Sequence, residues 1–275
     1  MSGFLDEMAR SSTARVAQAK RHESTASLEA RAAIALAPTL KMSPLGFDVI
    51  AELKIRSPAA GILGNVNQGL SRVMAYARGG AAAVSVLTEP SRFDGSLEHL
   101  RVAAEALTPL GVPVMRKDFI VDPYQVLEAR AAGAGGVLLI VRMLSRALLS
   151  ELLEVAARYG QFVLLEAFDA VDLNLAYDVL NAKATIAKIL VGVNCRDLQT
   201  LQMVPEKFSQ LASQLSTSWP AVAESGVSSP YDARAVRELG FSWALIGTAL
   251  MASREPDLLL AEILLAARSP ENLNG

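Results

Sequence analysis

The feature that most constrains this chain is one alternation, repeated eight times. A short apolar run ends in a polar residue, a helix-like segment follows, and a glycine-bearing turn leads into the next run. The runs are Val49 to Leu53, Ala83 to Leu87, Val114 to Met115, Val137 to Val141, Phe162 to Leu165, Leu190 to Val193, Ala221 to Ala223 and Ala244 to Ile246. They are separated by about 20 to 35 residues, the length of a strand plus a crossover helix and its loops. Gly79-Gly80, Gly133, Gly135-Gly136, Gly160 and Gly240 stand where the intervening helices must stop. A left-handed cap there favours a residue without Cβ. The glycines at 133 to 136 precede a run, whereas a dinucleotide-binding turn must follow a strand and open a helix.

Eight strand and helix units leave no second domain's worth of residues. They predict an α/β fold, a (β/α)8 TIM barrel with an extra N-terminal helical arm, in preference to an open doubly wound sheet. The arm covers residues 1–46, with Leu5, Met8, Val16 and Leu28 at near-helical spacing and Pro38 and Pro44 closing it. The barrel covers residues 47–275, a single catalytic domain.

Composition narrows the function. With 52% hydrophobic residues among 275, the chain buries a large core and disorder is excluded as its main state. Its longest small or apolar run, Ala131 to Val141, is closed by Arg130 and Arg142 and falls well short of the roughly 20 residues of a membrane span. The 26 basic and 28 acidic residues are mixed, which leaves no electrostatic footprint for nucleic acid or an acidic membrane. Cys195 is the single cysteine, and His22 and His99 lie far apart, so neither a disulfide framework nor a metal site is expected. The N-terminal segment has no secretory pattern, and Asp6, Glu7 and Glu23 disfavour a transit peptide; a cytoplasmic location is expected.

In such barrels the chemistry sits at the C-terminal ends of the strands. Those ends carry Glu52-Leu53-Lys54, Arg116-Lys117-Asp118, Glu166, Asn194-Cys195-Arg196 and Glu224-Ser225-Gly226. Residues two apart on a strand share a face, so Glu52 projects with Lys54 and Asn194 with Arg196, while Leu53 and Cys195 point outward. Converging on one mouth, Glu52, Lys54, Lys117, Glu166 and Glu224 are expected to move one another's pKa toward neutrality, as acid and base catalysis requires. The last two loops, Glu224-Ser-Gly-Val-Ser228 and Ile246-Gly-Thr-Ala249, are small and hydroxylic, which suits a phosphate. Cys195 has no histidine to activate it and is expected to pack outward; Arg116 is expected to be a peripheral ion-pair partner. Trp219 and Trp243 precede strands and are expected to pack in the core.

These residues, in this order, resemble the indole-3-glycerol-phosphate synthase family of tryptophan biosynthesis. The resemblance rests on Ile50-Ala-Glu-Leu-Lys-Ile-Arg-Ser-Pro58 with Gly61, Ser85-Val-Leu-Thr-Glu89 with Phe93-Asp-Gly95, and Arg116-Lys-Asp-Phe-Ile120 with Tyr124-Gln125. It continues through Leu138-Leu-Ile-Val141, Leu165-Glu166, Val191-Gly-Val-Asn-Cys-Arg-Asp-Leu198, Val222-Ala-Glu-Ser-Gly226 and Leu245-Ile-Gly-Thr248. The implied reaction converts 1-(2-carboxyphenylamino)-1-deoxyribulose 5-phosphate to indole-3-glycerol phosphate, releasing CO2 and water, with no cofactor and no metal. The resemblance implies Lys117 as the general acid for ring closure, with Lys54 near the substrate carboxylate and a second acid. It implies Glu166 as the dehydration base, assisted or replaced by Glu52. Asn194, Glu224 and Ser225 orient substrate and lysines. Ser57, Arg196, Gly226, Gly247 and Thr248 hold phosphate or carboxylate, and Phe93 and Phe119 belong to the substrate pocket. The partners implied are the phosphorylated small molecule and, at most, a weak homodimer.

The chain departs from that family in four places. Ala59-Ala60 stand where a hydroxyl and a lysine are usual, which bears on the first loop and its phosphate contacts. Phe168 replaces a polar residue two positions after Glu166, which bears on the orientation of that glutamate. The segment from Asn181 to Ile189 is longer than usual, and the arm is short for one that helps cover the site. Two other functions compete. A phosphoribosylanthranilate isomerase would favour a Cys/Asp acid and base over lysines, against Lys54 and Lys117. A repurposed paralogue that binds a related phosphorylated ligand without turnover is suggested only by Ala59-Ala60 and Phe168.

Overall fold

The computed structural model describes residues 3–57, 61–62, 66–182, 187–197, 200 and 202–269. Eight strands close a parallel barrel: β1 (Asp48–Leu53), β2 (Ala83–Leu87), β3 (Val114–Lys117), β4 (Gly136–Ile140), β5 (Phe162–Ala167), β6 (Ile189–Asn194), β7 (Ala221–Glu224) and β8 (Trp243–Ile246). Each pairs with the next in sequence, and β8 returns to β1 with Ala51 opposite Ile246. Every apolar run is therefore a barrel strand. Val141 alone leaves its run, opening the 3-10 turn Val141–Met143.

Below their C-terminal ends the strands are mainly apolar on both faces, because one face packs inside the barrel and the other against helices. The outward set includes Val49, Ala51, Leu53, Val84, Val86, Leu139, Leu165, Val193 and Cys195. The inward set includes Ile50, Ala83, Met115, Leu138, Leu164, Leu190, Val222 and Leu245. Alternation along each strand therefore decides which side chains reach the mouth. Leu53 and Cys195 point outward as expected, and Trp243 is buried in the interior. Trp219 packs, partly buried, on the outer layer.

The arm is two helices, α1 (Gly3–His22) and α2 (Thr25–Ile34). Leu5, Met8, Val16 and Leu28 are all buried. Val16, Leu28 and Ala32 pack on Tyr124 and Leu127 of the helix Pro123–Ala131. Leu5 and Met8 join the apolar cluster of the barrel interior, each burial contributing roughly 1.5–3 kcal/mol. Polar contacts fix the docking: Ser12 Oγ donates to the Phe119 carbonyl, and Arg15 reaches Asp118 at 2.7 Å.

Asp118 is the centre of a buried network. It accepts from Arg15, from Thr88 Oγ1 at 2.7 Å and from Arg116 at 2.9 Å, while Arg116 also reaches Glu128 at 3.0 Å. Burial raises the Asp118 carboxyl, but Arg116 and Arg15 outweigh it and hold the group well below the usual carboxylate range. The expected peripheral place of Arg116 is thus corrected: its side chain is fully enclosed, because the outer face of β3 is covered by α1 and the helix Pro123–Ala131.

Candidate active site

The C-terminal ends of the strands open into a cavity of about 580 Å³. Glu52, Lys54, Lys117, Glu166, Asn194, Glu224 and Ser225 all line it, as do Phe93, Phe119, Arg196, Gly226, Gly247 and Thr248. Of the expected site residues only Ser57 is not placed there. Its backbone pairs with Gly61 in a short antiparallel turn after β1, while its side chain lies outside the described part, with Pro58, Ala59 and Ala60. Residues 183–186, within the segment expected to be long, also lie outside the described residues.

Glu52 bridges the two lysines. Its Oε1 lies 3.0 Å from Lys54 Nζ and its Oε2 3.1 Å from Lys117 Nζ. Burial pushes the Glu52 carboxyl up, yet the two ammonium groups prevail and bring it down to about 2. Lys117 is raised in turn: burial works against its charge, and Glu52, Glu166 and Glu224 more than offset that. Here the expected drift toward neutrality is reversed, because the partners are close enough for Coulomb attraction to exceed desolvation. Glu52 is an anion held between the two lysines, and a weak base.

The other two carboxylates behave oppositely. Glu166 is raised by burial, with Glu52 and Asp172 adding to the rise, against Lys117 and a hydrogen bond from Asn194 Nδ2. Asn194 is oriented for this, since its Oδ1 accepts the Arg196 N–H at 2.9 Å. Glu224 is raised well above the usual range by burial and by Glu166 beside it. Among the described residues neither Glu224 oxygen has a hydrogen-bond partner. Of the residues expected to orient substrate and lysines, Asn194 hydrogen-bonds Glu166, and Glu224 is among the charges that raise Lys117. Glu224 stands above Gly192, where a Cβ would come 2.0 Å from its Oε1.

Small residues bring the last two loops close. Ser225 and Gly226 both adopt left-handed backbone, with φ of 66° and 72°. A serine held there stores strain of about 1–3 kcal/mol, typical of sites where a backbone must face a ligand. Gly247 precedes the short helix Thr248–Ala252, and a Cβ on it would lie 2.5 Å from Glu52 Oε1. Gly247 thus makes room for the carboxylate as well as facing the cavity.

Three parts of the wall were not anticipated. Phe4 and Leu5 of α1 line the cavity, and Phe4 meets Phe119 edge-to-face at 5.8 Å, so the arm does reach the mouth despite its length. Met203 and Pro205 enter from the loop after β6. Leu87 and Ile140 also line it; strand alternation could have found these two, since they continue the inward faces of Ser85 and Leu138. Nothing local in the sequence marks Phe4 or Met203. No group of three or more metal-ligating side chains occurs among the described residues. No described helix is long and apolar enough to cross a membrane.

Comparison with known proteins adds an independent line. A family model described as indole-3-glycerol phosphate synthase matches residues 5–263. The chain is 38% identical over 269 residues to an indole-3-glycerol phosphate synthase of Mycobacterium leprae, covering 97% of this chain and 95% of that one. It is 39% identical over the same length to the protein of that name from Mycolicibacterium gilvum. Among solved structures, 3-hexulose-6-phosphate synthase from Salmonella typhimurium superposes with a TM-score of 0.62 at 11% identity, covering 80% of this chain and 98% of that one. Thiamine phosphate pyrophosphorylase from Pyrococcus furiosus gives 0.58 at 13%, covering 81% and 96%. Those two likenesses show a shared barrel fold.

Proposed function

The chain belongs to the indole-3-glycerol phosphate synthase family, and from that premise we propose how its mouth divides the work of a decarboxylating lyase. The reaction closes the indole ring of 1-(2-carboxyphenylamino)-1-deoxyribulose 5-phosphate, loses CO2 and then loses water. Ring closure needs a proton on the substrate carbonyl oxygen as the aryl carbon attacks. Lys117 supplies it: the lysine is protonated at working pH and held by Glu52 at 3.1 Å. Lys54, on the other oxygen of Glu52, is the cation for the substrate carboxylate until that group leaves as CO2.

Dehydration needs a base that is ionised yet still basic. Glu166 fits that requirement, because burial raises it and Asn194 orients it, while Lys54, as the second acid, gives its proton to the hydroxyl that leaves as water. Glu52 does not, since two lysines have already consumed its basicity. Arg196, Gly226, Gly247 and Thr248 hold phosphate or carboxylate, and Phe93 and Phe119 flank the aromatic ring; Ser57 joins the anion contacts on the family resemblance alone. The protein works as a soluble cytoplasmic enzyme, a monomer or weak homodimer, with residues 1–46 as an arm on a barrel of 47–275. The reaction draws on no cofactor or metal.

The single observation that carries this reading is the Lys54–Glu52–Lys117 bridge facing an Asn194-held Glu166 across one cavity. It disfavours the isomerase, which needs no pair of lysines, and gives the repurposed paralogue no missing acid or base to rest on. The test is the ultraviolet signal of indole formation from the carboxyphenylamino substrate. Tight substrate binding without that signal overturns the reading in favour of the paralogue.

A further inference from the structure

Glu166 has apolar residues along its own strand face and opposite it on both neighbouring strands. Leu164 lies beneath it on the inward face of β5, and Phe168 lies above it on the same face. Ile140 stands opposite it on β4, and Gly192 opposite it on β6. Phe168 is the member of this set nearest the open mouth, and its ring lines the cavity while remaining buried.

That ring is held from outside the cavity. The guanidinium carbon of Arg142 sits 4.8 Å from its centroid. Arg142 is itself fixed, donating through Nε to Asp172 Oδ2 at 2.8 Å and through a terminal nitrogen to Asp169 Oδ2 at 2.6 Å. Asp172 Oδ2 also accepts the Phe168 N–H at 2.8 Å, and Asp169 caps the helix Ala170–Asn181. Backbone and ring of one residue are thus tied to the same guanidinium. Filling space alone asks for no such clamp.

We propose that Phe168 is a positioning residue for Glu166, its ring clamped by Arg142 so that it keeps water off the solvent side of the carboxylate. The proposal rests on Glu166 being the dehydration base. A base in this setting keeps its proton affinity because water cannot solvate its anion. Other groups acting on Glu166 are Lys117 from β3, Glu52 from β1, Glu224 from β7 and Asp172 from the first turn of the helix Ala170–Asn181, with neutral Asn194 from β6. Burial is the largest contribution and raises its pKa, Lys117 and Asn194 lower it, and Glu52 and Asp172 raise it.

The test compares Phe168→Asn, which admits water, with Phe168→Leu, which stays apolar. The Glu166 carboxyl is titrated by carbon-13 NMR in the ligand-free enzyme, assigned by its loss in Glu166→Gln, and the acid limb of kcat against pH is measured in parallel. Base catalysis requires the ionised form, so a lower Glu166 pKa moves the acid limb to lower pH. Phe168→Asn should shift both readouts down by about half a unit or more, with Phe168→Leu close to wild type. An unshifted Glu166 titration in Phe168→Asn overturns the proposal, as does an equal shift in Phe168→Leu. A shifted titration with an unmoved kinetic limb supports water exclusion by Phe168 and removes Glu166 from the role of base.

Discussion

Replacing Gly247 by alanine adds one methyl group, and the structure places it 2.5 Å from Glu52 Oε1 and 3.2 Å from Glu52 Cβ and Cδ. An unstrained carbon–oxygen contact needs about 3.4 Å, so the carboxylate must retreat by roughly 0.9 Å. The backbone itself is no obstacle, since φ of -119° suits alanine. The retreat matters because the same carboxylate lies 3.0 Å from Lys54 Nζ and 3.1 Å from Lys117 Nζ, and moves both acids at once. A misplacement of about 1 Å costs on the order of 100-fold in rate, so kcat should fall about 10- to 100-fold. Overpacking of about 1–3 kcal/mol should lower the melting temperature by several degrees. Initial rates by ultraviolet absorbance give kcat and KM, inorganic phosphate as competitor reports the anion site, and a thermal melt reports folding. A kcat within twofold of wild type, with only KM raised and phosphate inhibition weakened, refutes the reasoning. Gly247 would then serve the phosphate alone.

Lys117→Met should lower turnover by orders of magnitude while a reduced substrate analogue still binds; more than about a tenth of wild-type turnover removes it as the acid. Glu166→Gln keeps size and removes basicity, so kcat should drop strongly with KM within a few-fold, and normal turnover would shift the base to Glu52. Glu224 holds its proton in the folded state at pH values where the unfolded chain has released it, so its contribution to stability declines as pH rises through that window. Glu224→Gln should therefore raise the melting temperature at about pH 8 and leave it unchanged near about pH 3; a difference independent of pH contradicts the unpartnered, protonated carboxyl. Arg116→Met removes two ion pairs from a network in which Asp118 keeps Arg15 and Thr88, and should cost about 1–3 kcal/mol in denaturant unfolding; a loss under about 0.5 kcal/mol means Arg15 alone sustains the network.

Much of this protein is local in origin and therefore legible in its sequence. Strand alternation placed Glu52, Lys54, Lys117 and Glu166 at one mouth and turned Leu53 and Cys195 away, because the period of two is a property of the backbone itself. Glycines before the strands marked helix ends for the same kind of reason, and the eight runs became eight strands. The family resemblance carried residue roles onto that frame. Distances between strands decided the rest. Glu52 and Lys117 come from strands that are not neighbours, and only barrel closure brings them to 3.1 Å, which holds the Glu52 carboxyl below its usual range. The same closure leaves Glu224 without a hydrogen-bond partner among the described residues, while docking of the arm brings Phe4 to Phe119 and adds Arg15 to the buried network of Arg116 and Asp118. Desolvation and Coulomb energy depend on how far apart groups lie in space, so a chain whose local pattern dictates every strand still leaves the charge state of its site to the packing of the whole barrel.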